Sequence, residues 1–116
     1  AAGLSGAKAK TIQGLASAAL EKRVDFKNLH DQPDEDVYRD LTQLWGIGPW
    51  TVDMFMMFQL GRLDIWPTGD LGVRRGWEKI HKLKEEITPE ALHKKGEKFR
   101  PHRSIVAWYC WRALDL

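Results

Sequence analysis

The run "WTVDMFMMFQLGR", residues 50–62, is apolar on nearly every side of a helical wheel until Gly61 closes it. A helix of that kind has no polar stripe to turn to water, so other elements are expected to surround it. Before it comes "LWGIGP", Leu44 to Pro49. Gly46 suits the stop of a preceding helix, and Pro49 suits the first turn of the next. A helix, a Gly-Ile-Gly turn and a central apolar helix are therefore what the remaining chain must fold around.

The remainder reads almost entirely as helix. "SGAKAKTIQGLASAALEK" carries Ile12, Leu15, Ala16, Ala19 and Leu20 as a stripe, with Ser5 as its N-cap. "DEDVYRDLTQLW" opens on acidic residues, which suit a helix N-terminus, and Val37, Leu41, Leu44 and Trp45 share a face. "LDIWPTG" is a loop, and "DLGVRRGWEKIHKL" is a helix with Asp70 at its start. Thr88, Pro89 and Glu90 begin another helix, Arg100-Pro101 ends that stretch, and "HRSIVAWYCWRAL" is the last. No alternating run of strand length interrupts this pattern, so the expected class is all-α, a multi-helix fold.

At 116 residues the chain fits one domain or part of a larger one. Six tryptophans are many for that length, and something has to bury or use them. Residues 61–116 hold 12 Lys/Arg against 8 Asp/Glu, and residues 1–60 hold 6 against 8. A basic face towards an anionic partner and a plain solvated surface are both compatible with that asymmetry. One cysteine, Cys110 in "SIVAWYCW", excludes an intrachain disulfide and a four-cysteine cluster, and its apolar surroundings suit a buried reduced thiol. The opening "AAGLSGAKAKTI" has neither a signal-peptide core nor a membrane span, so a reducing setting, cytoplasmic or nuclear, is the default and no membrane partner is expected. His30, His81, His93 and His102 show no metal-ligand spacing and read as surface residues.

The Gly-Ile-Gly turn has two readings. It can be an ordinary corner between helices that uses glycine to stop the first. It can also present backbone amides, backed by the helix dipole near Trp50 and Thr51, to a nucleic-acid phosphate, with Ile47 plugging the core. Such contacts position a strand without reading its sequence. Asp70, after the rigid Pro67-Thr68-Gly69 loop, is open in the same way. It caps the helix that follows, or it stabilises positive charge on a sugar as a flipped base departs and orients the attacking water.

The series "LWGIGPWTVDMFMMFQLGRLDIWPTGDLGVRRG" resembles the helix-hairpin-helix DNA glycosylase superfamily with its glycine/proline-rich loop and aspartate. It is most similar to the 3-methyladenine DNA glycosylase II branch, in which a Gly-Ile-Gly-x-Trp-Thr turn precedes the aspartate at this spacing. "RPHRSIVAWYCW" also resembles that branch's Pro-x-Arg-Ser segment and aromatic helix. The resemblance covers essentially the whole chain and is strongest over residues 41–75. It implies a partial glycosylase domain over residues 1–116, with the helix-hairpin-helix at about 34–60.

The resemblance also implies roles. Asp70 is the catalytic carboxylate, and Gly46, Ile47 and Gly48 form the hairpin, joined in phosphate binding by Thr51, Arg103 and Ser104. The hairpin carbonyls of Gly46 and Gly48 hold a monovalent cation, Na+ or K+, with no iron–sulfur cluster. Trp50, Trp111 and Met54 line a base pocket, where an indole face attracts a cationic alkylated purine. Trp50 stands where strand-cutting relatives such as endonuclease III keep a lysine, so a monofunctional enzyme is implied. It would hydrolyse the N-glycosidic bond of 3-methyladenine- or 7-methylguanine-type bases in double-stranded DNA during base excision repair. From burial alone Trp111 equally reads as core, and Trp45, Trp66, Trp77 and Trp108 as core or loop packing. Arg103 and Ser104 equally read as caps of the last helix, and Arg74 and Arg75 as partners of Asp70, phosphate contacts or solvated cations. A mismatch or uracil glycosylase on the same scaffold, or a non-catalytic helix-hairpin-helix DNA-binding module or inactive fragment, are the alternatives. Family members carry more chain upstream, so the expectation is a chain truncated on its N-terminal side. A missing segment or self-association would complete it, and the isolated chain would be weakly active or inactive.

Overall fold

The computed structural model describes residues 6–21 and 24–116. Its elements are α1 (Gly6–Leu20), a 3-10 turn (Leu29–Asp31), α2 (Asp34–Thr42), α3 (Pro49–Phe58), α4 (Leu71–His81), α5 (Pro89–Lys95), a second 3-10 turn (Glu97–Phe99) and α6 (Arg103–Ala113). Among the described residues there is no strand, and the fold is all-α. The proposed Ser5 cap lies outside the described residues. No helix among them is long and apolar enough to cross a membrane.

The chain divides into two compact units, Ala1–Val52 and Asp53–Leu116. In the first, Ala18, Val24, Leu29, Val37, Leu41, Leu44 and Val52 are buried. α2 begins with Asp34, Glu35 and Asp36 in its first turn, where carboxylates meet the positive end of the helix dipole. The second unit buries Met56, Met57, Ile65, Trp66, Val73, Trp77, Leu92, Ala107 and Cys110. There α4 packs on α6 at a point where Gly76 lies against the Cys110 backbone carbonyl, an approach only a residue without Cβ permits.

Aromatic rings fill the rest of the second unit. Trp77 meets Trp66 edge-on at 5.9 Å and Phe99 at 6.2 Å, and His81 stacks on it at 4.0 Å. The Trp66 indole donates to the Leu92 carbonyl at 2.9 Å, so its polar edge is satisfied inside the core. Gly96 closes on the same indole. α5 starts as its sequence predicts, with the Thr88 hydroxyl accepting from the Ala91 amide at 3.1 Å and Pro89 in the first turn.

Two expectations need correction. α3 is not covered all round: Val52, Asp53, Met56 and Met57 are buried, yet Trp50 is 50% and Phe58 53% exposed. Trp45 and Trp108 are likewise half exposed, whereas Trp66 and Trp77 are core. Trp45 is covered on one face by the Lys10 ammonium, 4.3 Å from the ring centre.

Candidate active site

Asp70 is placed by a tight loop and held by donors that include a backbone amide and an indole N–H. Buried Pro67 leads into a turn in which the Asp70 amide donates to the Pro67 carbonyl at 3.0 Å. Asp70 then takes extended backbone angles as the N-cap of α4. Its Oδ2 accepts from the Val73 amide at 2.9 Å and from Trp111 Nε1 at 2.7 Å. The two readings of Asp70 are thus compatible in geometry, since one oxygen does the capping. Trp111 comes from α6, forty-one positions along the chain. A Cβ at Gly72 would press on Trp111 Cδ1 and Nε1 and on Asp70 Oδ2 at 3.0–3.1 Å, so glycine there leaves room for the indole. Phe58 stacks on Trp111 at 5.9 Å with planes 22° apart, and Trp108 meets both rings edge-on.

The hairpin residues belong to the first unit. Gly46 has φ +80°, the left-handed region, and a Cβ there would also collide with the Thr11 hydroxyl of α1. The Ile47 amide donates to the Leu44 carbonyl at 3.2 Å, closing the turn over buried Leu44, and Ile47 is half-buried. Gly48 has no neighbour that a Cβ would meet, and its carbonyl accepts the Val52 amide at 3.2 Å, the first bond of α3. Thr51 and Trp50 are exposed in the first turn of that helix. An open groove of about 580 Å³ runs beside the turn, lined by Lys8, Thr11, Ile12, Trp45, Gly46 and Thr51 among others. Met54, in the second unit, is half-buried.

Arg103 and Ser104 have work inside the second unit that differs from the phosphate contact expected of them. Both are buried. Arg103 grips Asp64 with Nε to Oδ1 at 2.8 Å and Nη2 to Oδ2 at 3.1 Å. Its backbone amide donates to the same carboxylate at 3.2 Å, so Asp64 supplies the start of α6 with a cap from a distant loop. The Ser104 hydroxyl donates to the Arg62 carbonyl and accepts from the Ile65 amide, each at 2.8 Å. These side chains fasten the 62–65 loop to α6 and are turned inward. The sequence pattern points to the Arg-Ser pair and offers no sign of its partner, because a lone Asp in a loop resembles any other.

The Arg103 guanidinium holds the Asp64 carboxyl below its ordinary value of 3.8, with smaller help from Arg100. A folded value below the unfolded one means that the unfolded chain takes up the proton first on acidification. The stabilisation is therefore complete above about pH 4 and is lost as pH falls towards the folded value. Asp64→Ala is expected to lower stability by about 2 kcal/mol, because it strands a buried guanidinium. It should also flatten the acid limb, read as urea midpoints between about pH 3 and pH 7.

Arg75 is engaged by Glu78 at 2.5 Å and Glu86 at 3.2 Å, while Arg74 Nε is buried without a partner. Burial pushes the Cys110 thiol up to about 11. Among the described residues, no three His, Cys, Asp or Glu side chains are grouped to hold a metal ion. The Gly48 carbonyl uses one lone pair on the Val52 amide.

No protein-family model matches the chain. It is 33% identical over 117 residues to DNA-3-methyladenine glycosylase 1 of Schizosaccharomyces pombe, covering 100% of this chain and 51% of that protein. The solved structure of the Schizosaccharomyces pombe 3-methyladenine DNA glycosylase Mag1 in complex with abasic DNA matches with a TM-score of 0.91 at 32% identity. That match covers 98% of this chain and 56% of the other. A DNA-3-methyladenine glycosidase structure from Bacillus halodurans matches at 0.86 and 34% identity, over 96% of this chain and 51% of that one. The chain spans about half the length of the curated relatives it matches.

Proposed function

We propose, from the premise that the chain belongs to the DNA-3-methyladenine glycosylase family, that it forms part of a monofunctional DNA glycosylase domain for alkylated bases. The observation that carries this reading is Asp70, a carboxylate fixed at a helix start and held by the indole of Trp111. An anion held there stabilises positive charge on the deoxyribose as the base leaves, and it orients the water that replaces the base. Alkylation makes a purine cationic and a good leaving group, so one carboxylate suffices without a strong general acid. The hairpin of Gly46, Ile47 and Gly48, with Thr51, would hold a DNA phosphate, and its carbonyls at Gly46 and Gly48 a Na+ or K+ ion. Trp50, Trp111 and Met54 would line the base site. With Trp50 in the position of the lysine of strand-cutting relatives, no Schiff base forms at that position and the product is an abasic site. Arg103 and Ser104 are left out of the phosphate set, because Asp64 and the 62–65 loop engage them.

The direct test supplies duplexes carrying methylated purines, uracil or a mismatch to the protein and scores free base and strand breaks separately. Release of methylated purine without a break supports the reading. Preference for uracil or mismatch moves the chain to the alternative glycosylases, and salt-dependent binding with no release makes it a binding module or an inactive fragment.

The hairpin has its own test in Gly48→Ala. A methyl there meets nothing in the protein, and Gly48 is absent from the positive-φ positions. Stability should therefore stay within about 1 kcal/mol of the unsubstituted protein. If the backbone approaches a phosphate at this point, duplex affinity should fall by about tenfold in a fluorescence-anisotropy titration. Unchanged affinity would remove Gly48 from the contact.

A further inference from the structure

We propose that Trp111 is a positioning residue for Asp70: its indole N–H holds the carboxylate in one rotamer, and Phe58 and Trp108 hold the indole. A pocket wall needs only a ring face, which any aromatic residue provides. Here the polar edge of the ring is committed, with Nε1 donating to Asp70 Oδ2 at 2.7 Å. The short distance is that of a charge-assisted bond. Val73 donates to the same oxygen, so the carboxylate is fixed from its own helix and from α6 at once.

Three features aim the indole. Gly72 leaves the space through which Trp111 reaches the carboxylate. Phe58 lies nearly parallel to the indole, and Trp108 abuts both rings edge-on. Phe58 and Trp108 are each more than half exposed, so burial alone does not account for aromatic residues at these positions.

On α4, Arg75 is engaged by Glu78 and Glu86, and Arg74 follows Asp70 by one turn with a buried Nε. On α6, Arg103 is engaged by Asp64, Arg112 is exposed, and the Cys110 thiol is pushed up to about 11 and carries no charge at neutral pH. The part of α3 within this unit contributes Asp53, a buried acid. Donated N–H bonds favour the ionised form of a carboxyl, so losing the indole donor must raise its proton affinity.

The consequence for catalysis rests on the reading of Asp70 as the reacting carboxylate, but the contact is tested without substrate. In NMR titrations of the unsubstituted protein, the Trp111 indole proton should move with the Asp70 carboxyl carbon at one shared midpoint. Trp111→Phe keeps a ring and removes the donor, and it should raise the Asp70 midpoint by about one unit or more. Phe58→Leu should raise it by a smaller step, through the loosened indole. In base-release assays the acidic limb of the Trp111→Phe profile should move up by the same shift. An indole proton indifferent to the carboxyl titration, or an unmoved midpoint in Trp111→Phe, overturns the proposal. Shifted midpoints, with base release whose acidic limb stays unmoved in Trp111→Phe, uphold the positioning contact and overturn the catalytic reading of Asp70 instead.

Discussion

Asp70→Asn is expected to lower base release at least about a hundredfold while leaving duplex binding and the fold in place. The substitution is informative because asparagine is as good an N-cap as aspartate. Its side-chain oxygen can still accept from the Val73 amide and from Trp111 Nε1. What is lost is the negative charge beside the departing base. A helix start prefers an anion by some tenths of a kcal/mol at an exposed site, too small a change to unfold a helix that packs on α6. Scoring release and binding separately divides the outcomes. Release unchanged removes Asp70 from the chemistry, and release and binding lost together make its role structural.

The second large effect concerns stability. Gly76→Ala should cost about 3 kcal/mol, although alanine in a helix interior ordinarily stabilises by about 1 kcal/mol relative to glycine. The reversal comes from α6. The added methyl would occupy the position of the Cys110 carbonyl group, which is main chain in the middle of a helix and cannot rotate away. Relief would require the two helices to separate, and the Asp64–Arg103 pair and Ser104 hold the start of α6 to the 62–65 loop. Gly14→Ala is the matched control, because Gly14 also lies within a helix, α1, and a methyl there meets nothing. It should raise the urea midpoint where Gly76→Ala lowers it. Equal effects at the two sites would mean that α4 and α6 do not approach so closely.

The helices were legible because their signals are local. Thr88-Pro89-Glu90 and the acidic start of α2 act within a turn or two, and the structure starts helices where they fall, whereas α3 ends at Phe58, ahead of Gly61. Coverage of a face is not local. The apolar run of α3 announces burial, yet Trp50 and Phe58 remain half exposed, because periodicity shows which surface is greasy and not what lies on it. The site follows the same division. Asp70 stands out through its loop and its helix, whereas the Trp111 contact to it joins positions forty-one apart. Asp64, thirty-nine positions before Arg103, gives no sequence sign of that partnership. Arg103 and Ser104 read equally as phosphate contacts or as caps of the last helix, and the fold uses their side chains to anchor a loop.

The Cys110 thiol, buried and pushed up to about 11, has a chemical consequence for a protein proposed to act on methylated DNA. Electrophiles that methylate purines also methylate thiolates. At neutral pH about one molecule in ten thousand would carry the thiolate, and it would be out of reach of solvent. The one sulfhydryl in the chain is therefore a poor target for the reagents that create the proposed substrate, so exposure to them should leave Cys110 unmodified while the DNA accumulates lesions.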